Sequence, residues 1–208
     1  MEDVARRHGG GGADLIGALP EDLLLQVLVR LRCARAAART GLLSRRWRGL
    51  WTRLPDLVFR DVAPGQLPPA LASLQAAAGP GVTLLDIRVA GHEREAAWVS
   101  SLLHAAAGLS PAELRLALPG DIQFFHVGMP CSHRATSMDL AAHYLHLLLS
   151  RISRFPALQR LSLSAPRVDL ADLLHRCPCL RVLRVADGFL DSNIAIKSES
   201  WRSSLWRA

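Results

Sequence analysis

The chain has 208 residues, of which 50% are hydrophobic and 21% are charged, enough apolar material for one sizeable core or two small ones. No stretch reaches the roughly 18 consecutive apolar residues that a membrane-spanning helix needs, so the sequence predicts no transmembrane segment. Residues 1–12 are charged and glycine-rich and lack the apolar core of a secretory signal. The four cysteines are too few and too irregularly spaced for a disulfide framework, which favours a reducing compartment, the cytoplasm or the nucleus.

The net charge of +7 comes from one local patch and not from the whole chain. Residues 32–53 hold seven arginines and no acidic residue, whereas residues 1–31 carry more acidic than basic residues. Such a patch is suited to nucleic acid or to an acidic protein surface.

Three short helices are predicted after a glycine-rich tail, residues 1–18, that is expected to be disordered. Pro20 suits the first turn of a helix, and apolar residues then recur at helical spacing as far as Leu31. A second helix fits residues 34–40, closed by Gly41 in a left-handed conformation.

A third helix is predicted from Ser44, which would cap it, to Pro55, which would end it. The three helices make a unit of roughly 40 residues, which is too small to bury a robust core and is expected to pack against a neighbour. The apolar positions of the third helix recur at helical spacing: Leu43, Trp47, Leu50, Trp51 and Leu54.

Beyond Pro55, short strand-like segments alternate with helical ones. A loop is predicted from Gly120 to Ser137, and Asp139 is predicted to cap a helix that continues to Ile152. The buried face of that helix is predicted to hold Leu145, Leu148, Leu149 and Ile152. The other predicted elements are strands at 57–59, 82–89 and 113–118 and a helix at 96–107.

Two segments, 155–163 and 177–185, share the spacing of a leucine-rich repeat and lie 22 residues apart. The pattern stops there, so the final repeat is predicted to have an open edge. Taking the middle leucine of each predicted strand as an anchor gives Leu85, Leu114, Leu161 and Leu183. The interval of 47 residues in the middle leaves room for two repeats or for one repeat with an insertion.

Two motifs, Leu19-Pro20-Glu21-Asp22 and Leu43-Ser44-Arg45-Arg46-Trp47, begin 24 residues apart. With the residues between them they resemble the F-box of plant F-box/leucine-rich-repeat proteins, although Arg32 stands where that family often has proline. The resemblance implies an α + α/β fold of a short or truncated family member. Its parts would be a small three-helix F-box at 19–56, an irregular leucine-rich-repeat solenoid of short parallel strands and helices at 57–190, and a polar tail at 191–208.

The resemblance also implies a function without catalysis. F-box proteins are the substrate receptors of Skp–cullin–F-box ubiquitin ligases: the F-box binds the Skp-type adaptor, and through it the cullin, while the repeats hold the protein to be ubiquitinated. No cofactor and no metal are expected, because ubiquitin transfer belongs to the RING subunit and its conjugating enzyme. The apolar helix faces exceed what a unit of about 40 residues can bury and suit packing into a partner's groove, and aromatic and arginine side chains are typical interface anchors. The expected adaptor contacts are Leu19, Pro20, Leu24, Leu28, Leu31, Leu43 and Trp47.

Two alternative functions are left open. The chain would be an adaptor-binding F-box protein without a competent substrate surface if its few repeats hold no target. It would be a basic nucleic-acid-binding helical module if its arginines contact phosphates, although the acids that follow Pro20 and the inward-facing tryptophans weigh against this.

Candidate metal ligands and nucleophiles are few. His175, Cys177 and Cys179 form a His-x-Cys-x-Cys run that is tighter than the usual zinc spacing, and packing of the repeat explains the two cysteines. Cys131 lies near His133, but no acid is placed to orient the histidine as a catalytic base would require.

Overall fold

The computed structural model describes residues 16, 19–77, 81–89, 95–118, 125–142, 145–151, 153–164, 168–186 and 193–197. The helices of these ranges are α1 (Glu21–Leu31), α2 (Ala34–Arg39), α3 (Leu67–Ala76), α4 (Ala96–Gly108) and α5 (Leu170–His175). The strands are β1 (Asp56–Val62), β2 (Leu84–Val89), β3 (Glu113–Leu118), β4 (Phe125–Met129), β5 (Ser137–Ala142), β6 (Leu145–Leu149), β7 (Arg160–Ser164), β8 (Val182–Ala186) and β9 (Asn193–Lys197).

Most of the strands form one seven-stranded sheet in the order β1-β2-β3-β5-β7-β8-β9. The first six strands of that order pair in parallel, and β9 pairs antiparallel with β8. Strands β4 and β6 form a separate two-stranded parallel sheet. The predicted mixture of helices with a parallel sheet is confirmed.

One row of buried apolar residues, here called the leucine row, crosses the six parallel strands in register. The four anchor leucines predicted from the repeat spacing all belong to this row, and each member is at most 5% exposed. Met138 on β5 lies between the second and third anchors, so the 47-residue interval holds one further strand of the sheet and spans two repeats. In strand order the row is Leu57, Leu85, Leu114, Met138, Leu161 and Leu183.

The helix predicted from Asp139 to Ile152 is wrong, because the segment forms strands β5 and β6. Along β5 the buried residues alternate with exposed or half-buried ones, which is the period of a strand. Leu148, predicted as buried, is largely exposed, and Ile152 lies outside the described residues. Apolar residues are dense enough here to fit the period of a helix as well as that of a strand. Pairing of β5 with β3 and β7 selects the strand.

Two further elements differ from the sequence prediction. The loop predicted from Gly120 to Ser137 contains β4, which pairs with β6 far along the chain. Helix α3 was not predicted, although its buried Leu67, Leu71 and Leu74 recur at helical spacing. The helix predicted at 96–107 is confirmed as α4, which buries Val99, Leu102, Leu103 and Ala106, and β3 has the predicted bounds.

The third predicted helix is wrong. Gly49 has a φ of 76° and Arg48 is extended, so the segment forms two single turns of 3-10 helix, Arg45–Trp47 and Leu50–Arg53. Ser44 makes no capping hydrogen bond through its side chain. The left-handed glycine is therefore Gly49 and not Gly41, which lies within a 3-10 turn after α2.

The last parallel strand does not have the open edge that the repeat pattern predicted. Strand β9 pairs along the whole of β8 and lies within the predicted tail 191–208, whose other residues lie outside the described ranges. So do residues 1–15 of the predicted disordered tail. No helix in the described ranges has the length and apolar character needed to cross a bilayer.

The N-terminal unit of residues 19–54, here called the head, packs directly on the sheet. Its helix α2 contacts β1, and one continuous cluster of buried apolar residues includes Leu28 of α1, Leu54 and Leu57 of β1. The head therefore shares its core with the sheet, as its small size requires.

Candidate functional site

Helix α1 is apolar on two sides. Leu24 and Leu28, four residues apart, are each 1% exposed and lie in the shared core. Leu23, Val27 and Leu31 follow the same spacing on a neighbouring side of the helix, and each is more than 40% exposed. The helix thus carries more apolar surface than the head and the sheet together bury.

The start of α1 is held in place by arginines from the second half of the head. Pro20 precedes the helix, and acidic residues in the first turn complement the positive end of the helix dipole. The Arg46 guanidinium donates to the Leu19 carbonyl at 2.6 Å, and Arg53 forms an ion pair with Glu21. Two of the seven arginines of the basic patch therefore have contacts within the head.

The turn after α1 depends on Arg32. Arg32 has φ 48° and ψ 28°, a left-handed conformation, and its backbone N–H donates to the Val29 carbonyl. Proline, whose ring fixes φ near about −65°, cannot adopt this conformation. The departure from the family pattern at Arg32 thus has a geometric consequence, because this turn differs from one built on proline.

The exposed apolar residues of the molecule are concentrated in the head. Six of the eight large hydrophobic residues that are exposed in the described ranges lie in the head; the other two are Ile16, just before it, and Leu148 in β6. Such concentrations mark surfaces that contact a protein, a membrane or a ligand. We call five of these residues the head face: Leu23, Val27 and Leu31 on α1, and Leu42 and Leu43 after α2.

The seven predicted adaptor contacts divide between core and surface. Both sides of α1 are apolar, so sequence periodicity could not separate the residues that face the core from those that face solvent. The prediction also omitted Leu23, Val27 and Leu42; the signal for the first two was an apolar run too wide for one helical stripe. The structure buries Leu24, Leu28 and Trp47, half-buries Leu19, and exposes Pro20, Leu31 and Leu43.

The cysteines belong to no metal-holding cluster of side chains in the described ranges. Cys177 is buried, and this burial raises the pKa of its thiol to about 12. The thiol therefore stays protonated at neutral pH, whereas nucleophiles and metal ligands are thiolates. Cys179 is exposed, and within the described ranges no three His, Cys, Asp or Glu side chains converge to hold a metal ion.

Plant proteins with F-box names are similar to part of this chain. An F-box/FBD/LRR-repeat protein of Arabidopsis thaliana is 54% identical over 46 residues, which is 22% of this chain and 10% of the relative. A putative F-box/LRR-repeat protein of the same plant is 46% identical over 59 residues, 28% of this chain and 12% of the relative. An F-box protein is 35% identical over 69 residues, 32% and 22% of the two chains.

The similarity is local. The matched stretches span about a tenth to a fifth of the length of these relatives. No family model and no solved structure matches the chain. The resemblance to plant F-box/leucine-rich-repeat proteins, stated from the two motifs of the head, is nevertheless confirmed by these matches: over part of its length this chain is similar to the F-box family of plants.

Proposed function

We propose that this protein is the substrate-receptor subunit of a Skp–cullin–F-box ubiquitin ligase. In this proposal the head is an F-box that binds a Skp-type adaptor, with two helices and 3-10 turns where three helices were expected. The parallel sheet with its helices is an irregular leucine-rich-repeat solenoid that holds a target protein. The F-box names of the relatives support the first part. The regular register of Leu57, Leu85, Leu114, Met138, Leu161 and Leu183 supports the second.

The exposed head face is the observation that carries the proposal. An amphipathic helix with a second apolar side is suited to a hydrophobic groove on a partner. Leu31 and Leu43 are 41% and 72% exposed, and full burial of a leucine side chain stabilises a complex by about 2 kcal/mol. The head face can thus supply the affinity that a stable subunit contact needs.

The head face also indicates which predicted contacts reach the adaptor in this proposal. Pro20, Leu31 and Leu43 touch the adaptor directly, together with Leu23 and Val27. Leu24, Leu28 and Trp47 remain predicted contacts. Because they are buried in the core, their expected role is to hold the exposed residues of the head face in position.

The chain itself carries out no chemistry in this proposal. It joins a target to a cullin-based complex through the adaptor, and the RING subunit and its conjugating enzyme transfer ubiquitin. The expected compartment is the cytoplasm, the nucleus or both.

Co-purification with a plant Skp-type adaptor tests the proposal. The full-length chain is expected to bind, and Leu31→Glu and Leu43→Glu are each expected to weaken binding at least about tenfold, because each removes apolar contact and places a carboxylate in the groove. Leu148→Glu is the matched control, since it makes the same change at an exposed leucine outside the head. Full binding by both head variants, or an equal loss in Leu148→Glu, would refute the proposal.

A further inference from the structure

A polar hollow lies on the outer face of the sheet, opposite the buried leucine row. Its volume is about 390 Å³, and it spans four adjacent strands, β3, β5, β7 and β8. The side chains that line it belong mostly to positions that alternate with the buried row. They include Glu113, Arg115, Asp139, Arg160, Ser162 and Arg184.

The half of the hollow over β3 and β5 is acidic. Glu113 and Asp139 contribute two carboxylates, and Arg115 contributes one guanidinium. Arg115 is already paired, since its Nε and Nη2 donate to the Glu113 carboxylate at 2.9 and 2.6 Å. The pKa of the Arg115 guanidinium is raised first by these hydrogen bonds and by the charge of Glu113. The charges of its register partners, Asp86 on β2 and Asp139 on β5, raise it further. This half therefore retains a net negative charge.

The half over β7 and β8 is basic. Arg160 and Arg184 are exposed, and neither forms an ion pair with any residue of the described ranges. Ser162 is a neighbour of both, because it is the register partner of Arg184 and is two residues from Arg160 on the same side of β7. Two guanidinium groups and a hydroxyl provide several donors for one carboxylate.

The hollow thus has opposite charges at fixed positions. Strands β5 and β8 are two strand spacings apart, which is about 10 Å, and an extended chain covers this distance in about three residues. A polyanion such as nucleic acid would be repelled by the acidic half, whereas a peptide with one acidic and one basic side chain matches both halves.

We propose that this hollow binds an extended segment of the target protein that places an acidic side chain against Arg160 and Arg184 and a basic side chain, about three residues away, against Glu113 and Asp139. The inference rests on the proposed function, in which the sheet carries the target. It adds the charge pattern of the segment that the sheet recognises.

Binding of charged peptide libraries to the full-length chain tests the inference. The probes are fluorescein-labelled peptides with Glu-x-x-Lys or Lys-x-x-Glu at their centre, where x is a mixture of uncharged residues, together with Glu-x-x-Glu and Lys-x-x-Lys libraries. Fluorescence polarisation is expected to show at least about fivefold tighter binding of one Glu/Lys library than of either like-charged library, as two exposed ion pairs allow.

Variants connect that preference to the hollow. The double variant Arg160→Ala and Arg184→Ala is expected to lose the preference, and Arg181→Ala, which removes a nearby exposed arginine outside the lining, is the matched control. Circular dichroism checks that each variant folds. Leu43→Glu is expected to keep peptide binding, so failure of adaptor docking and failure of this inference give different results.

Three results would overturn the inference. They are a preference for Glu-x-x-Glu, which would indicate a general anion site, the absence of binding at about 1 mM peptide, and an equal loss in Arg181→Ala.

Discussion

The head and the sheet region, from β1 to β8, treat apolar residues in opposite ways. The head leaves large apolar side chains such as Leu42 and Leu43 in solvent. The sheet region buries its leucine row, each member of which is at most 5% exposed, and exposes charged residues such as Arg115 and Arg184 on its outer face. One region therefore has a surface suited to permanent apolar docking, and the other has a surface suited to polar recognition.

Size explains this difference. The head is built from two short helices and 3-10 turns, and it completes its core with residues of β1. The sheet region stacks six strands with regular spacing, so each strand is covered by its neighbours. A unit too small to cover its own apolar side chains leaves some of them exposed for a partner. In a stack of repeats, apolar surface stays uncovered only at the two ends.

Truncating the sheet core gives the largest expected effect on stability. Phe155 is completely buried, and Phe155→Ala is expected to lower the free energy of unfolding by about 3–5 kcal/mol because it removes buried surface and leaves a cavity. Urea unfolding measures this change. A loss below about 1 kcal/mol would indicate that the sheet region is loosely packed and that its contrast with the head is overstated.

A buried serine gives the next largest effect. The Ser153 hydroxyl donates to the Met129 carbonyl at 2.6 Å and accepts from the Ser150 amide at 3.1 Å. Ser153→Ala leaves both groups without this partner and is expected to cost about 1–3 kcal/mol. Ser101→Ala on α4 is the control, because that hydroxyl is exposed, and equal losses in both variants would contradict the account.

The buried thiol of Cys177 predicts a smaller effect at alkaline pH. Burial raises the pKa of this thiol from 9.0 to about 12, so between these values the unfolded chain loses the proton and the folded chain keeps it. Stability therefore falls as pH rises, by at most about 1.4 kcal/mol per pH unit from this group. Cys177→Ala is expected to flatten that slope and the exposed Cys179→Ala to leave it; an unchanged slope in Cys177→Ala would contradict the assignment.

Sequence periodicity predicted the sheet better than the head. The anchors Leu85, Leu114, Leu161 and Leu183 were found because one leucine position recurs on every strand. Met138 was missed because its strand lies in a segment rich enough in apolar residues to fit a helix as well. Only the pairing of β5 with its two neighbours decides between the two structures, and pairing is a property of the folded sheet.

The candidate site was predicted only in part, because the burial of its residues also depends on packing in the folded molecule. The motifs at Leu19 and Trp47 located the head, but periodicity alone could not show that Leu28 faces the core while Leu31 faces solvent. That division depends on how α1 packs against the rest of the head and on the break at Gly49, whose left-handed conformation ends the third predicted helix early.

Hydrogen–deuterium exchange of the full-length chain, with and without a plant Skp-type adaptor, tests the central claim most directly. The account predicts that the adaptor slows exchange in residues 20–43 and leaves β3, β5, β7 and β8 unchanged, because docking covers the head face and not the outer face of the sheet. Protection of the sheet with an unchanged head, or no protection anywhere under conditions where the two proteins co-purify, would contradict it.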